Sequence, residues 1–260
     1  MKRSKQPNCC LAVDIGNSEI HMAPFYGQRR GAVSRLRTGL SRQQLTKKVL
    51  RLLKRKNYRL VRQAIICSVV PEKTRILEKI LRRHIFEKVI VVGRDLSVPL
   101  KNRYRHPRQV GQDRLVGAFA AVELYRCPVI VIDLGTAITL DVVSHRREYL
   151  GGLIIPGLKL STASLNRHTA LLPLVEIRKP TQIIGRDTQS SILSGIFYGY
   201  GVMIDGLINL LKKQVRGQPQ VIMTGGYCDL MRNFFRREVI IEHDLVLKGL
   251  NLLFHRTAQK

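Results

Sequence analysis

The stretches LAVDIGNSEIHM at residues 11–22 and IVIDLGTAITLD at residues 130–141 repeat one pattern, about one domain length apart. In each copy an apolar run ends in Asp, one apolar residue and Gly, and a second run of mostly strand-forming residues follows. A strand that ends in this way places a carboxylate at the edge of a sheet. The glycine, which has no Cβ, lets the turn backbone approach an anion closely. The two copies therefore predict a duplicated α/β fold that encloses a nucleotide and its metal.

The charge of the chain is strongly basic. Its 260 residues include 45 Lys and Arg against 18 Asp and Glu, a formal net charge of +27. Such a balance favours polyanionic partners. The basic residues are spread along the whole chain, however, and no stripe of basic residues alternates with aromatic ones. We therefore expect no specific nucleic-acid partner.

Composition and cysteine usage indicate a cytoplasmic globular protein. The hydrophobic content of 45% is ordinary for soluble domains. No uninterrupted run of eighteen apolar residues is found, so we predict no membrane span. The basic N-terminus is followed by a strand that contains Asp14, which is unlike a signal peptide. Five cysteines without a CxxC pair predict reduced thiols rather than disulfides or zinc.

Hydrophobic periodicity and turn residues predict alternating strands and helices in both halves, which favours an α/β layer structure. In the first half we predict strands at 9–15, 19–26, 64–69 and 88–92. We also predict a helix that Ser41 caps and that extends to about residue 56, and a helix with Pro71 in its first turn. Residues 94–112 read as a polar loop. In the second half we predict strands at 128–133, 138–143, 149–154 and 220–223, and helices at 113–125, 157–172, 188–214 and 245–254.

The predicted domain boundary lies near the middle of the chain. We expect a first domain at 1–115, with a loose basic tail at 1–8, and a second domain at 116–260. The last helix of the second domain is expected to pack back on the first.

The two Asp-x-Gly turns, together with the Thr224-Gly225-Gly226 turn after a late strand, resemble the acetate and sugar kinase–Hsp70–actin superfamily. In that superfamily two ribonuclease-H-like domains clamp ATP between two hairpins. The late glycines would let the backbone approach the adenosine; a plain tight turn is the alternative.

The motifs between the turns are more specific. From residue 11 to about residue 228 they resemble type III pantothenate kinases, in the order DIGNS, RYRHPRQVGQDR, DLGTAITLD, GGLIIPG, TALLP, IGRDT and SGIFYGY. The resemblance implies ATP-dependent phosphorylation of pantothenate to 4′-phosphopantothenate, the first step of coenzyme A biosynthesis. Some members of this family were named Bvg accessory factors, so a nucleic-acid-binding regulator that retains the kinase fold is the alternative function. A related kinase for another small hydroxy acid is a third reading.

The resemblance places the ATP contacts at Asp14, Ile15, Gly16, Asn17, Ser18, Glu19, Ile20, His21 and Thr136. Asp14 would hold Mg²⁺ through the ATP phosphates, because this ion prefers hard oxygen ligands and retains several waters. The family motif usually has Thr where this chain has Ser18, so the hydroxyl is kept. An ordinary hairpin turn is the alternative. Asp133 resembles the ligand of a monovalent cation, K⁺ or NH₄⁺.

The resemblance places the pantothenate contacts at Tyr104, Gly111, Gln112, Asp113, Arg114 and Thr188. Asp113 would be the general base for the substrate hydroxyl, while Arg114 would bind the substrate carboxylate and keep Asp113 ionised. The alternatives are a helix cap at Asp113 with a solvated Arg114, a surface aromatic at Tyr104 and a helix cap at Thr188.

The family is dimeric, with its site near the subunit interface, and we expect a homodimer here too. The long helix at 188–214 carries Gly195, Gly199, Gly201 and Gly206, which allow another helix to approach closely.

Overall fold

The computed structural model describes residues 9–55, 58, 60–84 and 87–257. The predicted basic tail at 1–8 lies outside these residues. The chain forms two compact units. The first contains the described residues of Met1–Leu100, His106–Ala120 and Leu245–Lys260, and the second contains Lys101–Arg105 and Ala121–Asp244.

The described elements follow the alternating order expected from the sequence. The strands are β1 (Cys9–Ile15), β2 (Glu19–Tyr26), β3 (Arg29–Arg30), β4 (Ser34–Arg37), β5 (Gln63–Ser68), β6 (Lys88–Val91), β7 (Lys101–Asn102), β8 (Val129–Leu134), β9 (Ala137–Val143), β10 (Glu148–Pro156), β11 (Gln220–Thr224) and β12 (Ile240–Ile241). The helices are α1 (Arg42–Leu53), α2 (Pro71–His84), α3 (Gln112–Leu124), α4 (Leu158–His168), α5 (Thr188–Lys212), α6 (Cys228–Met231) and α7 (Leu245–Thr257).

The first unit is built on a sheet of order β3-β2-β1-β5-β6, with β4 paired to β2. β1 is antiparallel to β2 and parallel to β5, and β5 is parallel to β6. Because side chains alternate between the two faces of a strand, the sheet buries both faces. One face packs with α1 and α2. The other packs with α3 and α7.

Local signals in the sequence explain where the helices of the first unit begin. Ser41 caps α1: its hydroxyl accepts the Gln44 backbone N–H, and the Gln44 side chain accepts the Ser41 N–H in return. Pro71 occupies the first position of α2, where its missing N–H costs nothing. Within the same unit α7 approaches α3 closely at Gly249, where a Cβ would lie 2.6 Å from the Val116 carbonyl oxygen.

The sheet of the second unit has the order β12-β11-β8-β9-β10-β7. β8 is antiparallel to β9 and parallel to β11, as β1 is to β2 and β5. Asp133 on β8 therefore occupies the place that Asp14 occupies on β1. The duplicated α/β fold predicted from the two Asp-x-Gly turns is confirmed.

Two element predictions need correction. The helix expected at 157–172 is α4, which ends at His168 because Thr169 is extended and its hydroxyl bonds back to the Leu165 carbonyl oxygen. The polar loop at 94–112 contains the short strand β7, which pairs with β10 and belongs to the second unit, and a 3-10 helix at Pro107–Gln109. Neither β7 nor the 3-10 helix is long enough to give a periodic pattern in the sequence.

The helix α5 lies in the core of the second unit. Its buried side chains include Leu193, Ile196, Phe197, Ile204 and Ile208. Among the described residues, it is also the one helix long and apolar enough to cross a membrane by length and composition alone, with 44% of its most apolar window buried. Core helices of soluble proteins meet the same criterion.

Candidate active site

The first half of the predicted site is the hairpin between β1 and β2, at the carboxyl end of β1. Asp14 pairs in register with His21 on β2 and with Cys67 on β5. The Asp14 side chain is half-buried at the point where the strand ends. A single carboxylate at this edge is suited to an ion that carries its other oxygen ligands with it.

The turn after Asp14 is held by backbone and side-chain hydrogen bonds. The Gly16 N–H donates to the Glu19 carbonyl oxygen at 2.9 Å, so this donor closes the turn and does not point at a ligand. Thr38, which is buried, ties the turn from outside. Its hydroxyl donates to the Gly16 carbonyl oxygen at 2.7 Å, and its N–H donates to the Ser18 carbonyl oxygen at 3.0 Å. Thr38 carries no motif and was not found from the sequence.

The residues of this hairpin divide into buried and exposed ones. The side chains of Ile15 and Ile20 are fully buried in the core, so only their backbone groups remain for a nucleotide. Asn17, Ser18 and Glu19 are exposed. The Glu19 carboxylate lies 3.0 Å from Nε2 of His21 and orients that ring.

The second predicted residue group lies at the start of α3, in the same unit. The Asp113 Oδ1 accepts the Arg114 backbone N–H at 2.8 Å. A Cβ at Gly111 would overlap this oxygen, so the glycine makes room for the carboxylate. The Gln112 side chain lies over Gly93, where φ is 85° and an added Cβ would lie 2.7 Å from the Gln112 side chain.

The negative charges of Asp14 and Asp113 both act on one buried thiol, that of Cys67. Burial raises the pKa of Cys67, and the negative charges of Asp14 and Asp113 raise it further. Both carboxylates therefore lie close to Cys67, at the carboxyl end of two parallel strands. This is where open α/β sheets bind their ligands.

The pKa of Asp113 is shifted in the direction opposite to the expected one. We expected Arg114 to keep this carboxyl ionised. Instead burial is the largest effect and raises the pKa of Asp113, while the backbone N–H and the positive charge of Arg114 lower it by less. A carboxylate with a raised pKa is a stronger base, which suits proton abstraction.

The third predicted group lies in the second unit, at the turn between β8 and β9. Asp133 is half-buried and Thr136 is exposed. The Gly157 N–H donates to the Thr136 carbonyl oxygen at 3.1 Å, and a Cβ on Gly157 would overlap this turn. On the other side, the φ of Gly225 is 100°, and a Cβ there would overlap Asp133 Oδ1. Gly157 and Gly225 therefore lie close to the β8–β9 turn on its two sides. We call this turn, with the two glycines, the Asp133 cradle.

Tyr104 is also in the second unit and is positioned by β10. Its N–H donates to the Asn102 side chain at 2.9 Å. Its ring lies over Gly151, where φ is 119° and a Cβ would lie 3.3 Å from the ring. The neighbouring Arg103 binds Glu148 at 2.7 Å.

Thr188 is the exposed first residue of α5. The cap of that helix is Asp187, which accepts the Ser190 N–H at 2.8 Å. The capping alternative considered for Thr188 is therefore wrong. The loop before it packs on the helix, because a Cβ at Gly185 would overlap the Ser191 backbone.

The oxygen ligands present at Asp14 and Asp133 fit Mg²⁺ and a monovalent cation, respectively. Within the described ranges, no cluster of three or more His, Cys, Asp or Glu side chains could hold a metal by itself. Mg²⁺ in nucleotide sites is commonly held by one or two carboxylates together with the phosphates, and Asp14 would supply one. The Asp133 cradle offers a carboxylate oxygen beside the Thr136 turn, which suits a hard monovalent cation.

Similar solved structures show which fold the chain has. The ethanolamine utilization protein EutJ from Carboxydothermus hydrogenoformans aligns with a TM-score of 0.54 at 16% identity, covering 95% of this chain and 90% of that one. A glucokinase from an Antarctic psychrotroph aligns with a TM-score of 0.51 at 10% identity, covering 96% and 99%. These likenesses concern the fold alone. With its two duplicated sheets, the chain has the ribonuclease-H-like fold of the actin, Hsp70 and sugar kinase superfamily.

The sequence comparisons define the family within that class. The family model described as type III pantothenate kinase matches residues 10–210. The type III pantothenate kinase of Brevibacillus brevis is 35% identical over 251 residues, covering 95% of this chain and 98% of the relative. That of Geobacter sulfurreducens is 35% identical over 256 residues, covering 96% and 99%. The chain belongs to the type III pantothenate kinase family.

Proposed function

We propose that this protein transfers the γ-phosphoryl group of ATP to the 4′-hydroxyl of pantothenate, the first step of coenzyme A biosynthesis. The observation that carries the proposal is that two carboxylates lie at the carboxyl end of β1 and β5 in a chain of this family: Asp14 pairs with Cys67, and Asp113 lies beside Gly111, next to Val69. Asp113 would accept the proton of the acceptor hydroxyl, and Asp14 would hold the Mg²⁺ that binds the phosphates.

The ATP phosphates would lie against the β1–β2 turn. The exposed residues Asn17 and Ser18 offer polar groups there, and Thr38 keeps the turn in place. Thr136 would contact the nucleotide from the second turn. Asp14 and the phosphates would hold Mg²⁺, which would offset the negative charge of the phosphates. Catalysis of this kind is mainly positioning and electrostatics.

The acceptor would be bound by the residues at the start of α3, with Tyr104 and Thr188 as further contacts. Arg114 would pair with the pantothenate carboxylate through its planar guanidinium. The Asp113 carboxylate takes the proton from the hydroxyl as the hydroxyl oxygen bonds to the γ-phosphorus. The bond from that phosphorus to the bridging oxygen breaks, and ADP leaves with the electron pair.

The remaining features of the site are proposed in the same way. Asp133 would hold K⁺ or NH₄⁺ near the transferring phosphoryl group, where the cation would offset developing negative charge.

We also propose a cytoplasmic location, because all five cysteines are free and three of them are buried.

The proposed reaction is tested by measuring ADP release with a coupled assay. We expect ADP release to require pantothenate and to be absent with other small hydroxy acids at the same concentration. ADP release that depends instead on a different hydroxy acid would identify a related kinase with another substrate.

The pH dependence of kcat/KM follows from the raised pKa of Asp113. The ionised form is the active base, so activity should fall as the pH drops through a pKa above the ordinary value of 3.8. A pH profile, with circular dichroism to exclude unfolding, measures this limb. An acid limb at or below pH 3.8 would contradict the assignment.

The outer face of α5 supports a homodimer. The stripe at Gly195, Gly199, Val202, Met203, Gly206 and Leu210 follows one face of the helix at the spacing of its turns. Val202 is 63% exposed and Leu210 is 59% exposed. A Cβ at any of the three glycines would meet no described atom within 4 Å. Gly201, expected to share this role, instead packs against the Phe234 carbonyl oxygen inside the unit.

We expect sedimentation at micromolar concentration to give a dimer. Val202→Glu should dissociate it, because a charge would be buried in an apolar interface. Gln43→Glu, which adds the same charge to an exposed position of α1, should leave the dimer intact. A fully active wild-type monomer would contradict the proposal.

A further inference from the structure

We propose that Gly225 is a positioning residue for the Asp133 carboxylate and thereby sets the affinity of the cation site. This inference rests on the proposed role of Asp133. It differs from the expectation that the late glycines serve the adenosine, because the close contact of Gly225 is with a side chain of its own unit.

The first observation is the contact itself. Thr224, the last residue of β11, is in parallel register with Asp133 on β8. The chain then turns at Gly225, where φ is 100°. A Cβ at this position would overlap Asp133 Oδ1 and lie 2.7 Å from the backbone N and C atoms of Leu134. The backbone of Leu134 lies at the end of a core strand, so it cannot move aside as a flexible side chain could.

The second observation comes from the internal duplication. In the first unit Ser68 follows Cys67 on β5, as Gly225 follows Thr224 on β11, and Ser68 pairs with Ile15. The φ of Ser68 is not positive. The end of this strand in the duplicated fold therefore does not itself require glycine. The glycine is found in the copy whose carboxylate lies against the turn.

The third observation is the packing around the same carboxylate. The Tyr227 N–H donates to the Leu134 carbonyl oxygen at 3.3 Å, and the Cys228 N–H donates to the Gly225 carbonyl oxygen at 3.4 Å. These two bonds hold the Gly225 turn against the end of β8, so the turn restricts the directions in which the Asp133 oxygens can point.

The test measures K⁺ binding by thermal melting in KCl, with ionic strength held constant by tetramethylammonium chloride, beside the kinetic constants. We expect Gly225→Ala to weaken the apparent K⁺ constant by roughly 10–100-fold, the usual effect of disturbing a residue that orients a metal ligand. The KM for ATP, measured at saturating K⁺, should change by less than about threefold, because the added methyl group acts on the carboxylate rather than on the nucleotide.

The matched control is Gly217→Ala. Its φ is 94°, so an alanine there carries similar backbone strain, but its Cβ would lie 3.5 Å from Pro128 in ordinary contact. We expect a lower melting temperature and an unchanged K⁺ constant. This control separates the strain of a positive φ from displacement of the carboxylate.

Asp133→Glu serves if Gly225→Ala does not fold. It keeps the charge, but the Gly225 backbone leaves no room for a longer side chain in the same direction, so K⁺ should again bind at least tenfold more weakly. A wild-type K⁺ constant in either variant, with the wild-type enzyme responding to K⁺, would overturn the inference alone. A wild-type enzyme that does not respond to K⁺ would overturn the cation site and this inference with it.

Discussion

Replacing Asp113 by Asn is expected to lower kcat by about 10²–10⁴-fold, the range that a positioned general base contributes. The amide has nearly the same shape as the carboxylate, and its oxygen can still accept the Arg114 N–H. It cannot take the proton of the substrate hydroxyl. The KM for ATP should therefore stay close to the wild-type value while turnover is lost.

The same variant should be more stable than the wild type at neutral pH. The pKa of Asp113 is raised in the folded protein, so between 3.8 and the raised value the native state binds more protons than the unfolded state. The free energy of unfolding then falls as the pH rises through this window. Above this pH window the carboxyl is ionised in both states, and burying its charge lowers the free energy of unfolding by the full amount. The uncharged Asn side chain does not carry this cost. Below pH 3.8 the difference should vanish.

Glu238→Gln is the matched control, because it also replaces one carboxylate by an amide, at an exposed position of the second unit. It should leave kcat and the melting temperature unchanged. Near-normal turnover in Asp113→Asn would remove Asp113 from the mechanism. Lost turnover together with a lower melting temperature at neutral pH would indicate a structural role instead.

The second large effect is expected at Asp133. K⁺ or NH₄⁺ should activate the wild-type enzyme, and Asp133→Ala should abolish the dependence on either ion. Activity at saturating K⁺ should fall by about 10²–10³-fold, the size seen when one group that stabilises transition-state charge is removed. The measurement is initial rate against cation concentration at constant ionic strength, with Glu238→Gln again as the control. Full wild-type activity in buffers free of both ions would refute the site.

Much of the fold could be predicted from the sequence because its strongest signals are local. The strands Cys9–Ile15 and Glu19–Tyr26 were placed at their observed bounds by the turn at Gly16–Ser18. The start of α1 followed from Ser41, a residue type that commonly caps helices. The fold class and the family followed from motifs whose order along the chain is specific.

Features that depend on contacts between distant residues were not predictable. Thr38 holds the β1–β2 turn through one hydroxyl and one N–H, and nothing around Thr38 in the sequence marks it. The raised pKa of Asp113 arises from burial, which depends on the fold. The sequence shows only the adjacent Arg114, whose charge lowers the pKa. The contact of Gly225 with Asp133 joins two strands that are far apart along the chain. The predicted assignments of the site residues remain predictions that the experiments above test.

The most direct test of the central claim is the product balance of the wild-type reaction. ATP and pantothenate are incubated with the enzyme, Mg²⁺ and K⁺, and the ADP and the phosphorylated product are identified and quantified by mass spectrometry and ³¹P NMR. We predict one 4′-phosphopantothenate for each ADP, and neither product without pantothenate. ADP formed at the same rate without pantothenate, or no phosphorylated pantothenate at all, would contradict it.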